Sequence, residues 1–209
     1  MNVSLSVCLS PSETQAAQLR RLQAAVADVC NELVPKVQAN RCWNRVALHH
    51  MYYREMRGLF PEVGSQMICN SIYAVSRAYR AVMQPSKVTD KNSGEGKVPK
   101  IFFSPSSPVF FDRHTLSIRQ GHFSLYTLDG RVRFDADLDG RSYALFQDHK
   151  AHEIMLVEAA QGFELRISLR PDNVAAAPAT AAPQDIQRFV GPTASENHSR
   201  SSVANRAVA

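Results

Sequence analysis

Residues 154–170 read Ile-Met-Leu-Val-Glu-Ala-Ala-Gln-Gly-Phe-Glu-Leu-Arg-Ile-Ser-Leu-Arg. Phe163, Leu165, Ile167 and Leu169 alternate with Glu164, Arg166, Ser168 and Arg170. A period of two is that of a strand with one buried and one wet face. Gln161-Gly162 is a turn signal, so Ile154 to Ala159 becomes the first arm of an antiparallel hairpin. Working back from this hairpin, the same period recurs in short pieces: Ile101-Phe102-Phe103, Val109-Phe110-Phe111 and Leu116-Ser117-Ile118. Phe123/Leu125 and Val132/Phe134 flank a Leu128-Asp129-Gly130 turn. Seven or so short strands with frequent turns predict a small antiparallel β-barrel or sandwich.

Towards the N-terminus the period changes. Val3, Leu5, Val7 and Leu9 alternate with small polar residues, which gives a first strand rather than a signal peptide. Ser10-Pro11-Ser12-Glu13 then reads as a helix start with a serine cap, a first-turn proline and a capping-box glutamate. Leu19, Leu22, Val26, Val29 and Leu33 extend one apolar stripe along 11–34, which Pro35 is expected to end. A second helix over 44–58 opens on Asn44 and carries Leu48, Met51, Tyr52 and Met56. A third begins near Ser65 and carries Ile68, Ile72, Val75, Tyr79 and Met83. The division is thus a strand at 1–9, a helical unit at 10–84, a polar linker at 85–99, a β-segment at 100–170 and a tail at 171–209. The tail holds ten alanines and three prolines within 172–209, a composition that cannot bury enough surface to offset its ordering entropy, and it is expected to be disordered.

The charge sits unevenly. Of 209 residues, 24 are Lys or Arg and 19 Asp or Glu, a net charge of +5. Residues 1–100 hold 13 basic and 7 acidic residues, 101–171 hold 8 and 9, and 172–209 hold 3 and 3. The basic excess therefore belongs to the helical unit, which points to an anionic partner there. No run approaches the roughly 18–20 apolar residues of a membrane span, so a soluble, cytoplasmic chain without a membrane partner is expected. Cys8, Cys30, Cys42 and Cys69 form no CxxC pair and read as buried free thiols in a reducing cytoplasm, with a zinc site or a disulfide framework as the alternatives.

The basic residues of the helical unit are Arg41, Arg45, Arg54, Arg57, Arg77 and Arg80, interleaved with Trp43, Tyr52, Tyr53, Tyr73 and Tyr79. Arginine suits two-pronged phosphate contact and aromatic rings stack on unpaired bases. The plain alternative is that the arginines only solvate helix faces and the tyrosines belong to the core. Ser65, Gln66 and Asn70 open the third helix, where polar side chains reach base edges in a groove, although Ser65 also suits a simple cap. Lys97, Lys100, Arg131 and Arg133, with Arg113 and Arg119, border the β-segment and would line a backbone groove. Asp135-Ala136-Asp137-Leu138-Asp139-Gly140 imitates the start of a calcium loop, but position 12 is Phe146, so a hairpin turn is expected. His149-Lys150-Ala151-His152-Glu153 has metalloprotease composition in the wrong order, in what reads as a short turn. His49-His50 lacks a third ligand at useful spacing. No cofactor or metal is implied.

Several strings stand in a definite order: Phe60-Pro61 with Ser65-Gln66-Met67 opening a helix through Ile72, Val75, Ala78 and Tyr79; Val109-Phe110-Phe111-Asp112; Leu125 with Leu128-Asp129-Gly130-Arg131-Val132; and Glu158-Ala159 with Phe163-Glu164-Leu165-Arg166-Ile167. Over residues 3–169 this layout resembles the N-terminal half of the TnpB family, transposon-encoded RNA-guided nucleases related to the type V CRISPR effectors. The resemblance implies an α+β chain, with an oligonucleotide-binding-type barrel (the wedge domain) and a three-helix recognition lobe inserted after the first strand. It also implies contact with a guide-type RNA, its heteroduplex and a short transposon-adjacent DNA motif. The family continues into a RuvC nuclease domain whose first strand carries a Gly-x-Asp-x-Gly-like motif and whose carboxylates hold two metal ions. Here Arg170-Pro171-Asp172-Asn173 runs into the alanine-rich tail, so the chain is expected to bind RNA or DNA without cutting, either as a truncated transposon product or as one subunit of a split effector whose partner is a separately encoded nuclease subunit. The rivals are a protein-interaction or regulatory module and, further off, an unrelated metal-dependent hydrolase using His149, His152 or the aspartate cluster.

Overall fold

The structure is a computed structural model that describes residues 3–83, 98–119, 122–135, 140, 142, 144–145, 149–160 and 162–171. Strand β1 (Val3–Leu9) leads into helix α1 (Glu13–Asn40), α2 (Arg45–Leu59) and α3 (Ser65–Met83). The remaining elements are strands β2 (Val109–Phe111), β3 (Leu116–Arg119), β4 (His122–Thr127), β5 (Gly130–Asp135), β6 (His149–Ala159) and β7 (Gly162–Pro171). The α+β class and the three-helix insertion after the first strand are as the sequence predicts. The linker at 85–97, including Lys97, the tail from 172 and the acidic run at 136–139 lie outside the described residues.

The β6–β7 hairpin is the middle of the larger sheet. β6 and β7 pair antiparallel, Leu156 opposite Leu165 and Ala159 opposite Gly162. β1 lies on the other side of β7, Val3 opposite Leu169 and Leu9 opposite Phe163, giving the order β1-β7-β6-β2. Because Phe163, Leu165, Ile167 and Leu169 are all buried, the period-two pattern has become one apolar face.

The barrel expectation is corrected. The described strands form two antiparallel sheets, β1-β7-β6-β2 and β3-β4-β5, and do not close into a barrel. The break falls at Asp112, whose Oδ1 accepts from the backbone N–H of His114 and of Thr115, both at 3.1 Å, and from the Thr115 hydroxyl at 2.8 Å. Such a side-chain-closed turn competes with ladder hydrogen bonds. It ends β2 at Phe111 and restarts the chain in the second sheet at Leu116.

Three boundaries also move. The cap of α1 is Ser12, with Gln15 closing the box by accepting from the Ser12 N–H at 2.9 Å; it is not Ser10 with Glu13. Gln15 also donates to the Arg133 carbonyl at 3.0 Å, and this tertiary tie favours the later start. Pro35 does not end α1, which continues to Asn40. An interior proline costs roughly 3 kcal/mol. Here Val34 and Val37 are buried beyond it, and Lys36 bridges Glu32 at 3.2 Å and Glu55 at 2.8 Å. Residues 101–103 are not a strand. The Asn31 side chain both donates to the Phe103 carbonyl and accepts from its N–H, at 2.9 Å each, and so takes the bonds a ladder would need.

One buried cluster runs through both sheets and the helices, from Leu19, Leu22, Val29 and Leu33 through Ile68, Ile72 and Tyr79 to Phe123, Leu125, Leu156 and Leu165. Met51 and Met83, which the spacing placed on apolar faces, are exposed. Among the described residues no helix is long and apolar enough to cross a membrane.

The tight hairpins depend on Gly130 at φ 104° and Gly162 at φ 123°, where an L side chain is strained. Gly162→Ala should lower unfolding stability by about 1–3 kcal/mol, read as a lower urea midpoint. An unchanged midpoint would refute this account of the β6–β7 turn.

Candidate nucleic-acid interface

Asn44 starts α2 by accepting from the N–H groups of Val46 at 2.9 Å and Ala47 at 3.1 Å, as its position predicts. The helix then has two differently charged sides. On the α1 side, Glu55 meets Lys36 at 2.8 Å and Tyr52 accepts from Asn40 at 2.5 Å, with the Lys36 ammonium 5.7 Å from the Tyr52 ring centre. The contact with Glu55, and then Glu32, raises the Lys36 pKa against the opposing effect of burial. Tyr52 is therefore engaged within the fold and is not an open stacking platform. On the outer side, His50 and Arg54 are exposed one turn apart, and beside them the half-buried His49 stacks on Tyr53, itself packed against the core, with ring centres 4.8 Å apart at 19°. Glu55 is the one carboxylate of α2, and Lys36 takes it. The outer face is left with Arg54 and His50 and without a carboxylate.

Arg45, at the start of α2, lies 5.2 Å from the ring centre of Tyr73 on α3. There the sequence candidates meet a partner that the sequence did not reveal. Tyr73 donates to Glu153 Oε2 at 2.8 Å, while Arg77 grips the same carboxylate with Nε at 2.6 Å and Nη2 at 2.9 Å. Burial, then the bond to Glu153, raises the Tyr73 pKa and keeps the phenol protonated as the donor. Phe110 of β2 backs the group, edge-on to Tyr73 at 5.2 Å and 5.5 Å beneath the Arg77 guanidinium. Tyr73 and Arg77 thus clamp α3 onto β2 and β6. Arg80, one turn on, is exposed, and its Nε donates to the Ser76 carbonyl at 3.4 Å.

Other candidates turn inward. Gln66 donates to Asp112 Oδ2 at 2.6 Å, and the buried Asn70 donates to Thr115 at 3.4 Å, so both hold α3 against the turn between the two sheets. They do not face a groove. Ser65 is exposed in the first turn of α3, and the Gly64 carbonyl before it accepts from Ile68, so Ser65 is not the cap. Arg57 donates to the Val63 carbonyl and closes the α2–α3 turn. Arg41 ends α1 in a left-handed conformation, φ 49°, and is exposed.

The β-segment candidates form a separate group. Arg131 donates to the carbonyls of His114 at 2.6 Å and Ser124 at 3.3 Å, and its neighbour Arg133 is exposed. Gln15 fixes the Arg133 backbone beside the start of α1, whereas Arg41 stands at its end, about 39 Å away at the helical rise per residue. The proposed set is therefore not one surface. Lys100 is exposed on the segment before β2.

The histidine-rich string at 149–153 lies within β6 rather than in a turn, because its residues pair with the end of β7. Alternation and the shift between Ala151 and Glu153 scatter its side chains, and among the described residues no group of three His, Cys, Asp or Glu could hold a metal. All four cysteines are free thiols, but of the four expected to be buried only Cys30 is: Cys8 sits on the wet face of its strand and is exposed, and Cys42 and Cys69 are half-buried. Compared with known proteins, the chain matches no family model and no curated protein sequence.

Sequence reasoning weighed His49 only as a metal ligand and overlooked its stacking with Tyr53, a plain i,i+4 relation. It also overlooked Glu153 and Asp112, whose roles depend on contacts 76 and 46 positions away and leave no local signal.

Two outcomes follow. Tyr73→Phe should cost about 1 kcal/mol in a urea titration, and a neutral result would mean that the Tyr73–Glu153 bond contributes nothing beside the Arg77 grip. Burial pushes the Cys30 thiol up to about 12. Iodoacetamide at pH 8 should therefore modify exposed Cys8 in the native protein and reach Cys30 only after unfolding, as mapped by peptide mass spectrometry.

Proposed function

We propose that the chain is a nucleic-acid-binding module that grips a guide-type RNA, or duplex DNA beside it. One observation carries this reading: the outer face of α2 presents Arg54 and His50, with the half-buried His49–Tyr53 stack beside them, while the helix's own carboxylate is engaged by Lys36 of α1. Arg45, Arg41 and Arg80 extend the cationic surface around the start of α2 and the end of α3. Arginine guanidinium groups there suit phosphate oxygens, and the Tyr53 ring suits an unpaired base. The resemblance of residues 3–169 to the N-terminal half of TnpB nucleases supports the same reading. The basic excess of residues 1–100 agrees with it.

Fluorescence anisotropy of the full chain against a single-stranded RNA, titrated with salt, tests the proposal. Each phosphate neutralised contributes about −0.7 to the log–log salt slope. Arg54→Ala and Arg45→Ala should each weaken binding and flatten the slope by about that amount, whereas Arg20→Ala, whose guanidinium is paired with Glu158 at 2.9 Å, should leave the slope alone. Absence of binding at low salt, or binding indifferent to both α2 substitutions, would sink the assignment. Labelled RNA should remain intact in the presence of magnesium.

A further inference from the structure

β1 is the outer strand of the larger sheet, and among the described residues no segment hydrogen-bonds to its other edge. Exposed edges are ordinarily blunted by lysine, proline, a bulge or shortness, because their unpaired N–H and C=O groups recruit other strands. β1 has none of these devices. Its seven residues, Val-Ser-Leu-Ser-Val-Cys-Leu, are uncharged and run in unbroken register along β7. The opposite edge, β2, is only three residues long.

The pattern of β1 is also symmetric about Ser6. Large apolar residues stand at 3, 5, 7 and 9, and small polar ones at 4, 6 and 8. We propose that two copies of this chain pair through β1, antiparallel about a two-fold axis at Ser6. The axis sets Val3 against Leu9, Ser4 against Cys8, Leu5 against Val7 and Ser6 against Ser6. Every pair matches odd with odd or even with even, so the apolar faces of the two sheets stay on the same side. Leu5, the β1 core residue left half-buried while Val7 and Leu9 are buried, gains the Val7 of the second copy as cover.

Charge permits the joint. The nearest charges on the polar face are Glu164 and Arg166 of β7, paired at 3.2 Å, and the Ser6 hydroxyl also donates to Glu164, which with Arg166 holds that carboxyl below its usual pKa. Three strand spacings, about 14 Å, would separate the two Arg166 side chains, beyond the roughly 8–10 Å screening length of ordinary buffers. A two-fold contact uses the same edge of both copies, so assembly stops at a dimer instead of growing into a fibre.

Sedimentation velocity on the full chain over a dilution series should show a monomer–dimer equilibrium. Ser6→Lys sets two like charges directly opposite at the axis and should raise the dissociation constant at least about tenfold, with the circular dichroism unchanged. Ser6→Cys keeps the side-chain size and gives a second measurement that does not depend on a tolerated lysine. Added diamide, accepting two electrons and two protons, should join two such chains as a disulfide dimer, while Ser6→Ala should not cross-link, since Cys8 faces Ser4. A chain monomeric at every concentration, a dimer that survives Ser6→Lys, or a Ser6→Cys protein that does not cross-link would each overturn the proposal.

Discussion

Strand β7 is the constraint on which the rest depends. It pairs on one side with β6, its hairpin neighbour, and on the other with β1, so Val3 and Leu169 face each other across nearly the whole described chain. Closing a loop of that length costs roughly 4–5 kcal/mol of chain entropy beyond a constant, and only burial can offset it. Phe163, Leu165, Ile167 and Leu169 supply that burial together with Val7 and Leu9. Once β1 is held there, α1 must leave from beside the β6–β7 turn, and the three helices are confined between the first strand and the last pair. The insertion is thus a consequence of which strand covers β7.

This explains what was legible. Strands with one wet face and helices with one apolar stripe announce themselves by period, and β1, α2, α3 and the two hairpins stood where their residues put them. Closure into a barrel was not legible, because it depends on whether β2 continues towards β3. The decision rests on the Asp112–Thr115 turn, which Gln66 and Asn70 reinforce from α3. Pro35 misled for a related reason: local propensity opposed the helix, and packing of Val34 and Val37 prevailed.

The site was legible in composition and not in arrangement. Arginine content marks the helical unit as basic, but an arginine reports its charge and not its engagement. Arg57 closes a turn, Arg77 clamps β6 through Glu153, and Arg131 ties β5 to the turn before β3. Each uses the several donors of the guanidinium to satisfy carbonyls or a carboxylate within the fold, a use for which lysine is a poor substitute. Part of the basic excess is therefore structural.

What distinguishes structural from available charge is the location of the acids. Glu153 is brought to α3 by the sheet, and Glu55 is held by α1, so these two carboxylates sit where elements meet, and α2 itself carries no other. At those junctions a charge is matched and partly desolvated, and its energy is committed to folding. On the outer turns the guanidinium of Arg54 keeps its hydration and its mobile counterions. Releasing counterions to a phosphate chain is favourable in entropy, so the basic surface best suited to an anionic polymer is the one the fold itself uses least.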